Sequence, residues 1–231
     1  MHEEAYTIFM KEYIDFTNDA MLEADKSGNR IHPTAVIGAD VILGRNNYIG
    51  AYCRIVGRVS IGDNNHFEAF VSVGSFPEHK HYKEMMACEG VLIGNNCFFK
   101  EFVSIHSGCT TNTFVGNDVW MLRGAYVAHD CQIMNGATLS ANTMLGGYCH
   151  VGYGANLGMG CMVHQKSVIG GYSMVGMGTV VTKKRPILPG QVYVGNPARY
   201  LRENNPRYSS LSDYELRLVA QDYNDALIKN Y

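Results

Sequence analysis

The sequence lacks the signals of a nucleic-acid, membrane or disulfide-framework protein. Lysine and arginine number 19 against 21 aspartates and glutamates, so no basic excess favours nucleic acid or an anionic membrane as the main partner. No apolar run approaches the ~20 residues that span a bilayer. The opening "MHEEAYTIFMKEY" has neither the basic start nor the apolar core of a secretory signal, and the expected location is cytoplasmic. The seven cysteines are odd in number and contain no CxxC pair, which gives zinc and redox motifs little support. An apolar content of 46% in 231 residues fits a globular chain of one large or two small domains.

What the chain does have is a six-residue ruler. Ile31, Ile37, Leu43, Ile49, Ile55, Ile61, Phe67 and Val73 are all apolar; the series resumes at Ile93, Phe99 and Ile105, and again from Val115 in unbroken steps to Val181. Four residues after each stands a second row of mostly small residues, among them Cys53, Cys97, Cys131, Cys149 and Cys161, which are expected to be buried as small hydrophobes. Neither a helix nor a hairpin has period six. A short strand plus a tight turn does, and three such units close a triangular coil of 18 residues with the aliphatics inside. Each coil buries its apolar face only against its neighbours, so many must stack at the strand spacing of roughly 4.8 Å. The expected fold is all-β, a parallel β-helix over 31–198.

The ruler breaks twice. A fourteen-residue excursion, "SFPEHKHYKEMMAC", lies between Val73 and Ile93, and four extra residues lie near "SGCTTNT". Such departures from a rigid coil are where function tends to sit. Residues 1–30 lie outside the ruler, and Tyr6, Phe9, Met10, Tyr13 and Ile14 recur at helical spacing. In the final segment, 199–231, Ser212 and Glu215 stand at capping-box spacing before an apolar face of Leu216, Val219, Ala220, Tyr223 and Leu227. Flanking α-helices are therefore expected at both ends, the second packed on the coil or on a neighbouring subunit.

Residues 18 apart stack. His129, in "GAYVAHDC", thus lies under Gly147, with Gln165 above that; with the four-residue insertion removed, His106 lies one coil below Ala128 and His164 two coils above it. Both excursions leave from the same wall, so His106, His129, Gly147, His164, Gln165 and two loops converge there, a candidate site. His32, His66 and His150 add nothing to this cluster and are expected as solvated wall residues. Zinc on His106, His129 and His164 is disfavoured, because adjacent coils hold them several ångströms apart. His79 and His81 in "EHKHYKE" read as part of a polar loop rather than a metal site.

Four stretches sharpen this pattern: "HPTAVIG" from His32, "VSIHSG" around His106, "AYVAHDC" around His129 and "VHQKSVIG" around His164. They resemble the hexapeptide-repeat acyltransferases, and among these the UDP-N-acetylglucosamine acyltransferases of lipid A synthesis, from about Ile31 to Arg199. The resemblance implies a left-handed coil and transfer of an acyl chain from acyl carrier protein, or from coenzyme A, to a hydroxyl or amine of a nucleotide-activated sugar. It implies no tightly bound cofactor, no metal, and a homotrimer with sites between subunits. The catalytic histidine falls on His129, its carboxylate partner on Asp130 and the oxyanion glycine on Gly147. Sugar-site positions fall on His106, His164 and Gln165, and a lysine–tyrosine pair of the loop on Lys80, Tyr82 or Lys83. Tyr126 and Tyr148 stand where the family carries further histidines, which bears on the sugar pocket. Imidazole suits the chemistry, since a sugar hydroxyl must lose its proton as it attacks a thioester, and a backbone N–H can hold the oxyanion. The alternative is a short-chain, acetyl-coenzyme A-dependent sugar O- or N-acetyltransferase, favoured by "GNPA" near the end of the coil; a non-catalytic scaffold or a carbonic anhydrase-like zinc protein is a third class.

Overall fold

A computed structural model describes residues 22–80, 88–204 and 208–230. The helix expected around Tyr6–Ile14 lies outside these residues, as do His81, Tyr82 and Lys83. The coil is a left-handed parallel β-helix of about nine turns. Its short strands line up into three faces of 10, 8 and 7 strands. The first runs from Arg30–Ile31 through Gln191–Val194 to Arg199–Glu203, the second from Val36–Ile37 to Val180–Val181, and the third from Val41–Leu43 to Val168–Ile169.

Register follows the ruler. Arg54 pairs with Ser72, a step of 18 residues. The step widens to 32 between Ser72 and Ser104, across the first excursion. It is 22 between Ser104 and Tyr126, across the second. Both excursions leave at the vertex between the second and third faces, one directly above the other.

Inside, the ruler residues form one continuous core. Ile49, Phe67, Ile105, Ile133 and Leu145 are fully buried, and Phe67 stacks on Phe99 with ring centroids 4.7 Å apart. All five cysteines of the small-residue row are buried. Burial pushes the Cys53 thiol up to about 11 and the Cys97 thiol up to about 12, leaving both inert as nucleophiles.

Asparagine extends this row as a hydrogen-bonded ladder. The Asn65 amide N–H donates to Asn47 Oδ1 at 2.9 Å, Asn65 Oδ1 accepts from the Cys97 N–H at 2.9 Å, and Asn65 Nδ2 donates to the Gly94 carbonyl at 2.9 Å. Asn65→Ala orphans one donor and one acceptor in the next turn. At about 1–3 kcal/mol for each of the two buried groups left unpaired, urea unfolding should show a loss of about 2–6 kcal/mol.

Two histidines depart from the expectation of solvated wall residues. His66 is completely buried, its ring stacked between Tyr48 and Phe98 at 4.5 Å on each side. In-register stacking turns one outward-facing strand position into a column of rings, so neighbours cover it from above and below. His150 is buried under the C-terminal helix and its Nε2 lies 3.0 Å from Asp222 Oδ2. His32 is partly buried, with Nδ1 2.8 Å from Thr34 Oγ1.

The final segment is not helical throughout. Arg199–Glu203 forms a strand antiparallel to Gln191–Val194, and the helix runs over Asp213–Asn230. Its start is the expected capping box, with Ser212 Oγ donating to Glu215 Oε2 at 2.7 Å and the Glu215 N–H returning to Ser212 Oγ at 3.3 Å. It packs on its own coil, where Val168 meets Tyr223 and Ala226. The buried stripe is Val219, Tyr223 and Ala226; Ala220, expected on this face, points to solvent. The helix is rotated so that the i, i+4, i+7 row seats on the coil.

Candidate active site

His129 and Asp130 lie at the vertex carrying both excursions, one turn above the second. The preceding strand, Tyr126–Val127, fixes them: Val127 points into the core, and the chain must turn before Gln132–Ile133 starts the third face. Asp130 takes the left-handed corner conformation, φ 60°, which short polar residues tolerate. Both side chains are buried, with His129 4% and Asp130 3% exposed, so neither is an ordinary surface residue.

The four-residue insertion explains how a carboxylate survives there. Asp130 Oδ1 accepts from the Thr110 and Thr111 amides, each at 2.8 Å, and from Thr110 Oγ1 at 2.8 Å. Asp130 Oδ2 accepts from the Cys109 amide at 2.9 Å and from His129 Nδ1 at 2.7 Å. Burial raises the carboxyl pKa, but the His129 bond and the three amides outweigh it and hold Asp130 well below the usual carboxylate range. An ionised Asp130 fixes the proton of neutral His129 on Nδ1 and leaves Nε2 as the basic nitrogen.

Gly147 closes the other side. A β-carbon added there would lie 2.6 Å from His129 Cε1 and 2.7 Å from Nε2. Gly147 has no left-handed φ, so the ring beneath, rather than the backbone, requires glycine. Its amide is also distinctive. At the equivalent corner position between the third and first faces, the N–H groups of Arg45, Asp63, Asn95 and Asn117 are each capped by a side-chain oxygen from the next turn. The Gly147 N–H has no acceptor among the described residues.

Aromatic rings complete the pocket. Tyr148 and His79 meet the His129 ring edge-on, with centroids 5.1 and 5.3 Å away. His79 comes from the long excursion, which is tied down twice: His106 Nδ1 donates to the Phe76 carbonyl at 2.8 Å, and Tyr126 OH donates to Glu78 Oε2 at 2.8 Å. Burial first, and then the Glu78 carboxylate, push the Tyr126 phenol above its usual range, so it stays a donor. A cleft of about 610 Å3 runs from Asp130 and Tyr148 along the third face beneath the helix, between His150, Asp222 and Lys229.

The structure thus brings together His106, Tyr126, His129, Asp130, Gly147 and Tyr148. His164 and Gln165 stack at the expected height, since the Lys166 N–H bonds the Gly147 carbonyl, but both side chains are exposed, and His164 Nδ1 donates to the Gln165 carbonyl at 3.0 Å. Lys80 is exposed on the excursion. Sequence reasoning missed Glu78, His79, Cys109, Thr110 and Thr111. The available signal was the insertion's place one turn below Asp130, where successive amides can converge on a carboxylate. Among the described residues, one trio of possible metal donors occurs, Cys109, His129 and Asp130, rather than the three wall histidines.

Comparison with known proteins finds relatives of the same fold. The family model "Bacterial transferase hexapeptide (six repeats)" matches residues 40–75. An acyl-[acyl-carrier-protein]–UDP-N-acetylglucosamine O-acyltransferase of Stenotrophomonas maltophilia is 33% identical over 174 residues, covering 58% of this chain and 65% of the relative. The chain is thus similar to hexapeptide-repeat proteins and, among them, to UDP-N-acetylglucosamine acyltransferases. Another of these acyltransferases, from Campylobacter concisus, is 31% identical over 138 residues, 58% of this chain and 52% of the relative. This chain therefore spans about half to two thirds of the length of these curated acyltransferases. The crystal structure of the UDP-N-acetylglucosamine O-acyltransferase from Moraxella catarrhalis superposes with TM-score 0.64 at 27% identity, covering 85% of this chain and 79% of that one. The acyltransferase from Campylobacter jejuni gives TM-score 0.68 at 23% identity, covering 90% and 91%, and supports the fold alone. Among the described residues no helix is long and apolar enough to cross a membrane.

Proposed function

We propose that this chain is an acyltransferase that moves an acyl group from an acyl carrier protein or coenzyme A thioester to a hydroxyl of a nucleotide-activated sugar, with UDP-N-acetylglucosamine the leading acceptor. The observation that carries this reading is the buried His129 imidazole, held through Nδ1 by an ionised Asp130 and covered by Gly147. His129 Nε2 takes the proton as the sugar oxygen attacks the thioester carbon. The carbonyl oxygen becomes an oxyanion that the uncapped Gly147 N–H is suited to receive. Collapse breaks the carbon–sulfur bond, and the departing thiolate recovers the proton from the imidazolium. Asp130 stabilises that imidazolium without itself being protonated. The thioester supplies the leaving group, so neither a resident metal nor a covalent enzyme intermediate is called for.

His106, Tyr126, Tyr148 and the excursion bearing Lys80, with Tyr82 and Lys83 beyond the described residues, are the proposed sugar-binding side; His164 and Gln165 face a ligand or a neighbouring subunit one turn further on. The resemblance also carries the assembly, a homotrimer with sites between subunits in the cytoplasm. The test is a screen of nucleotide sugars against 3-hydroxyacyl carrier protein, long-chain acyl-coenzyme A and acetyl-coenzyme A, read by mass spectrometry of the acylated sugar. Acylated UDP-N-acetylglucosamine from a carrier-protein donor is the expected product. Turnover with acetyl-coenzyme A alone would replace this reading with the short-chain acetyltransferase.

A further inference from the structure

We propose that Cys109, His129 and Asp130 form a binding site for a thiophilic divalent cation such as zinc, which shuts the active site reversibly when bound. A donor sulfur, a ring nitrogen and a carboxylate oxygen of these three residues all lie within 4.8 Å of one another. They belong to two adjacent turns, and the insertion bearing Cys109 is bonded to the corner bearing Asp130 through three amides. His129 and Asp130 are buried, whereas Cys109 is only partly so, which gives the ion an entry side. Zinc–sulfur and zinc–nitrogen bonds of about 2.3 and 2.0–2.1 Å require the donor atoms to draw together slightly. A rotation of the half-exposed Cys109 side chain is the change that does so.

Charge favours occupancy. The ionised Asp130 places a buried negative charge within the unoccupied trio. The Cys109 thiol gives up its proton as the cation takes its place. One divalent ion binds thiolate, imidazole and carboxylate and releases one proton, which leaves a neutral cluster in place of a buried anion. Imidazole and thiolate together select zinc or cobalt over magnesium or calcium.

The consequence for catalysis rests on the role proposed for His129. An ion on Nδ1 takes the place of the proton shared with Asp130, and an ion on Nε2 takes the lone pair that accepts the sugar proton. Either way the ring is removed from proton transfer. This is an inhibitory site rather than a resident cofactor site.

The experiment uses the full chain, tag removed and freed of metal, titrated first with cobalt. A thiolate-to-cobalt charge-transfer band saturating at one ion per chain is expected, as are one proton released per zinc ion and an affinity that rises tenfold per pH unit. Cys109→Ser should lose the band and the pH slope and weaken zinc binding at least a hundredfold, and His129→Gln should weaken it similarly. In the acyl-transfer assay, zinc should inhibit the wild type, chelator should restore it, and Cys109→Ser should need at least a hundredfold more zinc. Absence of the band in wild type, or equal zinc affinity in wild type and Cys109→Ser, overturns the proposal. The cobalt arm reads the site even in a protein that transfers no acyl group, so failure of the functional reading and failure of this one are distinguishable.

Discussion

His129→Ala should lower acyl transfer about a thousandfold, within the range a positioned general base contributes, while circular dichroism and the thermal midpoint stay close to wild type. The ring sits at a vertex and not in the core: Val127 and Cys131 on either side carry the burial, both at 0% exposure. The loss should fall on kcat more than on KM, because in the proposed reaction the ring acts on the moving proton. Turnover retained in the alanine variant would remove His129 as the base. Asp130 should stay in place through acid titration. Its folded pKa is depressed, so its stabilising contribution is present above the ordinary carboxylate pKa and is lost only as pH falls through the lower folded value. Loss of activity at mildly acidic pH is thus not a protonation of Asp130.

Gly147→Ala is the sharper test of geometry. The added methyl would overlap His129 Cε1 and Nε2 at 2.6 and 2.7 Å. Tyr148 and His79 stand against the ring edge, so the imidazole must tilt and strain its 2.7 Å bond to Asp130. A displacement of ~1 Å in a catalytic group can cost about a hundredfold, and that loss is expected in kcat. Stability should behave differently. Gly147 has an ordinary negative-φ backbone, so alanine adds no backbone strain and its smaller loss of chain entropy offsets part of the cost of the overlap. A variant that folds with a near-wild-type thermal midpoint yet transfers acyl groups at wild-type rate would refute the close packing of glycine over the ring.

The coil was legible in the sequence because its physics repeats. One aliphatic every six residues closes the same corner each time, so Ile31 to Val181 could be placed without coordinates, and the register steps of 18, 32 and 22 follow from counting. The same count put Gly147 over His129. Legibility failed where contacts depend on what a ladder or a loop does with side chains. His66 has the composition of a surface residue, and only its stacked neighbours Tyr48 and Phe98 bury it. Ala220 and Ala226 stand about 120° apart on a helical wheel, and composition does not say which of the two the coil covers. Glu78 and His79 lie in an excursion with no period, so no count predicts that they fold back onto Tyr126 and His129. The clamp on Asp130 lay between these extremes: the insertion could be located, but the convergence of three amides on one carboxylate is a property of its backbone path.

The regular turns and the two insertions stand to one another as a lattice stands to its dislocations. In a stack where every corner repeats, each polar group is matched by the one above, and nothing is left over to react. The extra fourteen and four residues enter at the same vertex in consecutive turns, and the mismatch they introduce leaves amides that converge on Asp130 instead of continuing a ladder. The reactivity proposed for this chain is thereby confined to a line defect, while the perfect turns on either side supply rigidity. Whole turns beyond the defect set the length of the rod, and the defect alone sets its chemistry.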